Sequence, residues 1–297
     1  MNLHHLSLFF AIAEAGNISE ASKRLFISQP ALSRQLKEFE GRLGVVLFER
    51  LPRGMRLTDA GEVLRDYAAR LFSIEYAAES AVREMANVGR GRLVIGASNT
   101  IGTYVLPAIL AAYRQRFPKI AVSLFVGNTE QVGRGVADLR FSVGFIEGPS
   151  HLAELTSEPF MRDEIIPVVA STHELARQKR IELASLSHLP LLMREEGSGT
   201  RELVTGLLEE KGVKPANVMH FGNTEALKQA ALHGGGIVWL PRLCMLKELA
   251  EGSLMPLNIR GLGIRRELRT VRVKGGYLSP PGTAFLDLLK QTSMTRQ

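Results

Sequence analysis

The chain has 297 residues with formal net charge +7, 45% apolar and 23% charged residues. At ~150 residues per domain that length suggests about two domains, and the balance excludes disordered, collagen-like and membrane classes. Its single cysteine, Cys244, excludes an intrachain disulfide framework and a Cys-rich zinc module, which fits a reducing cytoplasm. No apolar run reaches the ~20 residues of a membrane helix, and no Lys or Arg precedes the apolar stretch Leu6 to Ala13, so a cytoplasmic chain without span or leader is expected.

Leu3, Leu6, Phe9, Phe10 and Ala13 recur at spacings of three and four, the apolar face of a first helix that Gly16-Asn17 ends. Ser19 reads as the cap of a short second helix with Ala21, Leu25 and Phe26 on its buried side, and Ile27-Ser28 turns the chain. Ser28 reads as the cap of a third helix with Pro30 in its first turn, where a missing N–H costs nothing. Leu32, Leu36, Phe39 and Leu43 form its inner stripe, while Gln29, Ser33, Arg34 and Lys37 share the outer face. Such a face is either a solvated surface or a row of donors for a major groove. In a groove, Gln pairs with adenine and Arg with guanine, while Ser and Lys hold phosphates; Gln29 and Arg34 are therefore the base-reading candidates.

After Gly44, the run Val45 to Arg50, the turn Pro52-Arg53-Gly54 and the return Met55-Arg56-Leu57 spell a small hairpin. Arg50, Arg53 and Arg56 give it a compact cationic tip suited to phosphates or a minor groove. The segments Ala21 to Leu36, Leu43-Gly44-Val45, Leu47-Phe48-Glu49-Arg50 and Leu57-Thr58-Asp59-Ala60-Gly61 together resemble the winged helix-turn-helix of LysR-type transcriptional regulators. The resemblance implies contacts to double-stranded DNA from Gln29, Pro30, Ser33 and Arg34 on the recognition helix and from Arg53 on the wing. Ser28, Lys37, Arg50 and Arg56 complete the candidate interface.

Thr58 reads as the cap of a helix that runs without Gly or Pro from Glu62 to Val88, with Leu64, Tyr67, Leu71, Ile74, Ala78, Ala81 and Met85 as an apolar seam. At 1.5 Å per residue this is about 40 Å of helix, more than a small winged domain covers, so a second copy is the expected partner. Two-fold symmetry then predicts an inverted-repeat operator. The resemblance implies the same homodimer, dimers pairing into a homotetramer, and RNA polymerase as a further partner.

Beyond the break Gly89-Arg90-Gly91, Arg92 to Gly96 reads as a strand, followed by the polar loop Ala97-Ser98-Asn99-Thr100 and a helix holding Val105, Ile109 and Tyr113. Strand followed by polar loop recurs at Ile120 to Val126 with Gly127-Asn128-Thr129, at Phe141 to Ile146 with Glu147-Gly148-Pro149, and at His220-Phe221-Gly222 with Asn223-Thr224. Ligands bind at such carboxyl ends of strands in open α/β sheets, so these loops are expected to converge on one cleft. Pro190 to Met193 reads as another strand, and Arg194 to Arg201 opens a helix with Ser198, Thr200, two glycines and Arg201. That loop is either a plain helix cap with a surface arginine or a grip for a carboxylate or oxyanion.

The resemblance extends over the whole chain. It implies an α/β protein with an all-α winged helix-turn-helix at 1–58, a linker helix at 59–89 and a two-lobed, periplasmic-binding-protein-like effector domain at 90–297. Lobe one would take 92–163 and 268–297, and lobe two 164–267. Carried over by position, effector contacts fall on Ser98, Asn99, Thr100, Asn128, Thr129 and Thr200, with Glu147 and Trp239 as cleft neighbours. The segments Gly127 to Glu130, Ile146 to Pro149 and Arg194 to Arg201 look most like the branch associated with cysteine and sulfur metabolism, with carbon-fixation regulators related. A small anionic metabolite is the implied effector.

Ser198 lacks a Gly-x-Ser-x-Gly elbow and a His/Asp pairing, so no enzyme is expected. His4-His5 lacks a ligand set, so neither metal nor cofactor is expected. The alternative, a small-molecule-binding protein whose N-terminal domain serves a non-DNA partner, leaves the Gln29 to Arg34 face and the arginine wing unexplained.

Overall fold

The computed structural model describes residues 2–51, 54–86, 91–178, 181, 183–259 and 263–294. It forms two compact units, Met1–Ser80 and Ala81–Gln297. Among the described residues no helix is long and apolar enough to cross a membrane.

The first unit is α1 (Leu3–Ala15), α2 (Ile18–Leu25), α3 (Gln29–Leu43), the hairpin β1 (Phe48–Arg50) and β2 (Met55–Leu57), and α4 (Asp59–Ala86), which runs on past its limit. Leu6, Phe9, Ile12, Ala21, Leu32, Leu36, Phe39 and Leu47 make its core, so the apolar stripes of three short helices and the wing close on one another. Leu3 lies outside it, more than half exposed. Asn17, not Ser19, caps α2: its Oδ1 accepts the Glu20 N–H at 2.7 Å. Phe26 is the C-cap of α2 in the left-handed region at φ 55°, which turns its ring outward to 97% exposure instead of into the core. Ser28 stands at the N-cap of α3 but makes no side-chain cap bond, with Pro30 in the first turn as expected.

Glu40 near the end of α3 accepts the N–H groups of Leu47 and Phe48 at 2.8 and 3.3 Å and so fixes where the wing starts. Thr58 caps α4, accepting from Gly61 N–H at 3.1 Å while donating to the Val46 carbonyl. A Cβ at Gly61 would sit 2.2 Å from the Leu47 carbonyl oxygen, which is why this turn of α4 approaches the wing only with glycine there.

The second unit holds β3 (Gly91–Ser98), a single π-helical turn (Ile101–Val105), α5 (Leu106–Arg116), β4 (Ile120–Gly127), α6 (Thr129–Ala137), β5 (Val143–Glu147) and β6 (Leu155–Ala170). It continues through β7 (Leu191–Arg194), α7 (Gly199–Glu210), β8 (Val218–Phe221), α8 (Thr224–Leu232), β9 (Ile237–Pro241), α9 (Leu246–Glu251), β10 (Leu254–Pro256), β11 (Ile264–Val273) and α10 (Pro280–Met294). One sheet runs in the order β4-β3-β5-β11-β6-β9-β7-β8, with β10 on β6. Two parallel groups, β4-β3-β5 and β9-β7-β8, are joined by the long antiparallel pair β11–β6, which passes from one lobe to the other.

Each lobe has its own apolar core, around Ile95, Tyr113, Phe145 and Phe285 in one and Ile165, Leu191, Val204 and Trp239 in the other. Ser98, Gly127 and Glu147 end parallel strands of one lobe, and Arg194, Phe221 and Pro241 end those of the other. Glu147 is the last residue of β5 and not part of the loop after it, and that loop leads into β6 without a helix.

Candidate functional site

On α3 the side chains of Gln29, Arg34 and Lys37 are exposed and Ser33 half-buried, opposite the buried Leu32, Leu36 and Phe39. Neither Arg34 nor Lys37 forms an ion pair among the described residues. Gln29 is held in place, its Oε1 accepting the Ser19 hydroxyl at 3.1 Å; the residue read as a cap thus orients the first side chain of α3. Ser28 and Pro30 flank it, both exposed. On the wing, Arg56 is not a free cation: Nε and Nη2 grip the Glu49 carboxylate at 3.1 and 2.5 Å, which raises the guanidinium's pKa. Arg50 ends β1 but its side chain, like the whole of Arg53, lies outside the described residues.

The seam of α4 divides. Leu64 and Leu71 pack against the first unit's core, and Ala68 and Phe72 bury the same side. Tyr67 and Ile74, 66% and 56% exposed, and Ala78 face away. Tyr67 and Ile74 line an apolar groove of about 800 Å³ with Leu43, Val45 and Val63. The side chains of Ala81 and Met85 lie outside the described residues.

Between the lobes, the polar ends of strands and helices meet in a buried network. Glu147 Oε1 accepts the Thr100 N–H at 3.1 Å, and Oε2 accepts the Thr200 hydroxyl at 2.8 Å and Arg266 Nη1 at 2.6 Å. Arg266, on β11, also donates to Thr200 Oγ1 and Thr100 Oγ1 and grips Asp163 of β6 through Nε and Nη2 at 2.9 and 2.7 Å. All three charged side chains are almost fully buried. Burial alone would raise the Glu147 pKa, but the Arg266 charge and the Thr100 and Thr200 hydrogen bonds win and hold it at about 2. At Asp163 burial wins over Arg266, and its pKa is raised.

Further hydrogen bonds tie the lobes beside this network: Asn128 Nδ2 donates to the Glu196 carbonyl, Glu130 N–H to the Gly197 carbonyl, and Gly199 N–H to Thr129 Oγ1. A Cβ at Gly199 would stand 2.3 Å from the Glu147 carbonyl oxygen, so glycine there permits the close approach. On the other flank, the Tyr104 hydroxyl of the π-turn donates to Glu225 of α8, and buried Lys228 bonds Glu248 and the Cys244 carbonyl.

The expected effector residues separate. Thr100, Glu147 and Thr200 join the network. Ser98 is buried nearby in the chain at the end of β3, its Oγ without a hydrogen-bond partner among the described residues, and Asn99 bonds the Gly127 carbonyl. Asn128 caps α6 in a capping box with Gln131. Thr129, Ser198 and Arg201 line a cavity of about 640 Å³ between α6 and α7. Trp239 is not at the cleft: it is packed in the apolar core of its lobe, opposite Pro167.

Residues 86–293 match the LysR substrate binding domain, and residues 3–62 match the bacterial regulatory helix-turn-helix protein, lysR family. The chain belongs to the LysR family. This LysR-type regulator is 36% identical over 296 residues to the uncharacterized HTH-type transcriptional regulator YeiE of Escherichia coli strain K12, covering 100% of this chain and 99% of that one. It is 32% identical over 263 residues to the HTH-type transcriptional regulator CysL of Bacillus subtilis strain 168, covering 89% and 88%. Among solved structures, the Synechocystis PCC6803 CcmR regulatory domain in complex with 2-PG superposes with TM-score 0.64 at 30% identity, covering 69% of this chain and 98% of that one.

The regulator is a DNA-binding transcription factor with an effector-binding domain. Sequence reading missed Asp163 and Arg266. The available signal was charge inside strands, in Arg162-Asp163-Glu164 ahead of Ile165-Ile166 and in Arg265-Arg266-Glu267 ahead of Leu268, where a charged residue facing a core needs a partner.

Proposed function

We propose that this regulator binds inverted-repeat operators as a homodimer, dimers pairing into a tetramer, and that a small anionic metabolite held between the lobes of its effector domain sets which DNA geometry is bound. The observation that carries the reading is the convergence of Thr100, Thr200 and Arg266 on one carboxylate between the lobes, a donor set for an anion. The 2-PG held by the CcmR regulatory domain supports a small ligand of this class. The limits are 1–58 for the DNA-binding domain, 59–89 for the linker and 90–297 for the sensor, its lobes divided at 163/164 and 267/268.

In this reading Gln29 and Arg34 read bases. Ser28, Pro30, Ser33, Lys37 and the wing arginines Arg50, Arg53 and Arg56 hold the backbone, Arg56 by leaving Glu49 for a phosphate. Ser98, Asn99, Thr100, Asn128, Thr129, Thr200, Ser198 and Arg201 surround the effector. The exposed face of α4 at Tyr67, Ile74 and Ala78 receives a second copy, and RNA polymerase is the further partner, in the cytoplasm.

A purified-protein selection on fragmented host DNA tests this, with Arg34→Ala and Lys37→Ala beside the wild type. Inverted repeats should be enriched. Arg34→Ala should lose about 1–3 kcal/mol of discrimination at one base pair, whereas Lys37→Ala should weaken all sites evenly and lower the salt slope by about 1. Equal losses at every base pair from both changes would overturn the roles.

A further inference from the structure

We propose that Glu147 is an internal ligand of the cleft: the chain's own carboxylate sits in the donors that an anionic effector uses, and the effector enters by exchange with it. The inference rests on the reading of the cleft as the effector site and adds how that site is held without effector.

The donors come from three places, none of them β5, the strand that carries Glu147. Thr100 supplies its N–H just ahead of the π-turn of one lobe, Thr200 its hydroxyl in the first turn of α7 in the other, and Arg266 its guanidinium on a strand that joins them. Two oxygens of one carboxylate thus engage one backbone N–H, one hydroxyl and one guanidinium, as a bound oxyanion does. The carboxylate ties the lobes together in the way a cleft ligand would.

Charge points the same way. Arg266 already serves two carboxylates, Glu147 and Asp163. A second anion beside Glu147 would meet unscreened like charge in a site closed to water. Exchange keeps the charge constant and leaves Arg266 paired throughout. Ser98 Oγ, two residues before Thr100, is buried and among the described residues has no hydrogen-bond partner. The effector is therefore a compact oxyanion, a carboxylate or an inorganic oxyanion.

The test uses the full-length chain, Glu147→Ala and Glu147→Gln, each titrated calorimetrically with sodium acetate and with sodium sulfate at constant ionic strength in chloride. Glu147→Ala should bind at least one of the two anions about ten-fold or more tighter than wild type. A gain for acetate assigns the carboxylate class and a gain for sulfate the inorganic class. The same anion should raise the melting temperature of Glu147→Ala more than that of the wild type, because only the folded state holds the site. Glu147→Gln keeps the size of the side chain and serves where the alanine variant does not fold; it should gain affinity in the same direction.

Equal or weaker anion binding in both variants would overturn the exchange. Operator footprints of the same proteins separate this from the broader reading. A metabolite that alters the wild-type footprint, with no gain of anion affinity in either variant, removes the exchange and leaves the ligand-responsive regulator standing. A gain of affinity with footprints unmoved retains the exchange and removes the cleft's control over DNA.

Discussion

Arg266 is where the lobes of the sensor share a charge. Its guanidinium serves Glu147 on one edge and Asp163 on the other, both buried, so its loss leaves two carboxylates facing each other away from water. Arg266→Met should destabilise the sensor by about 3–5 kcal/mol in urea unfolding, the range for breaking one partner out of a buried ionic group. An unchanged midpoint would show that water reaches the network.

The same residues set a pH dependence. Glu147 is held at about 2 against an ordinary 4.5, so its contribution to stability is complete above about 4.5 and lost as pH falls toward about 2. Asp163, raised by burial, acts oppositely: its contribution declines as pH rises from its ordinary value through its raised one. Glu147→Gln should therefore lose less stability than wild type between about pH 4.5 and about 3, read as unfolding midpoints at successive pH values.

Elements were legible where their signals are local. Gly16 and Gly44 end α1 and α3, Thr58 caps α4, and the parallel strands β3, β4, β5, β7 and β8 are followed by the polar loops that their composition announces. The cap of the second helix is Asn17 and not Ser19 for a reason that is also local: Asn17 lies one residue before the helix and reaches Glu20, which frees Ser19 for Gln29. Phe26 looked apolar and therefore buried, but the chain turns left-handed there and the ring swings out. Helix α6 makes a prediction at this scale. Asn128 accepts from Gln131 N–H as a cap and donates to the Glu196 carbonyl across the lobes. Asn128→Ala should cost about 1 kcal/mol for the cap alone. A larger loss, read by thermal unfolding, measures the interlobe bond, and no loss would discount the cap.

At the scale of the molecule, α4 buries Ala68 and Phe72 against its own unit and leaves Tyr67 and Ile74 bare on an apolar groove. In the proposed dimer this stripe is what a second copy covers. Ile74→Glu should shift the protein to monomer in sedimentation velocity and abolish the preference for inverted repeats over half-sites, with helix content unchanged. A dimer that persists would place the interface elsewhere.

Sequence alone determined the order of domains, the third helix with its outward Gln29, Arg34 and Lys37, and the polar loops at strand ends, because periodicity, caps and turn residues act over a few neighbours. It determined that Thr100, Glu147 and Thr200 belong to such loops or strand ends. Tertiary structure alone decided that these three meet, that Asp163 and Arg266 join them from 103 residues apart, and that Trp239 belongs to a core. The physical reason is range: a buried charge is tolerable only with its partners, and the partners of Arg266 are supplied by strands β5 and β6 that no local pattern links to it.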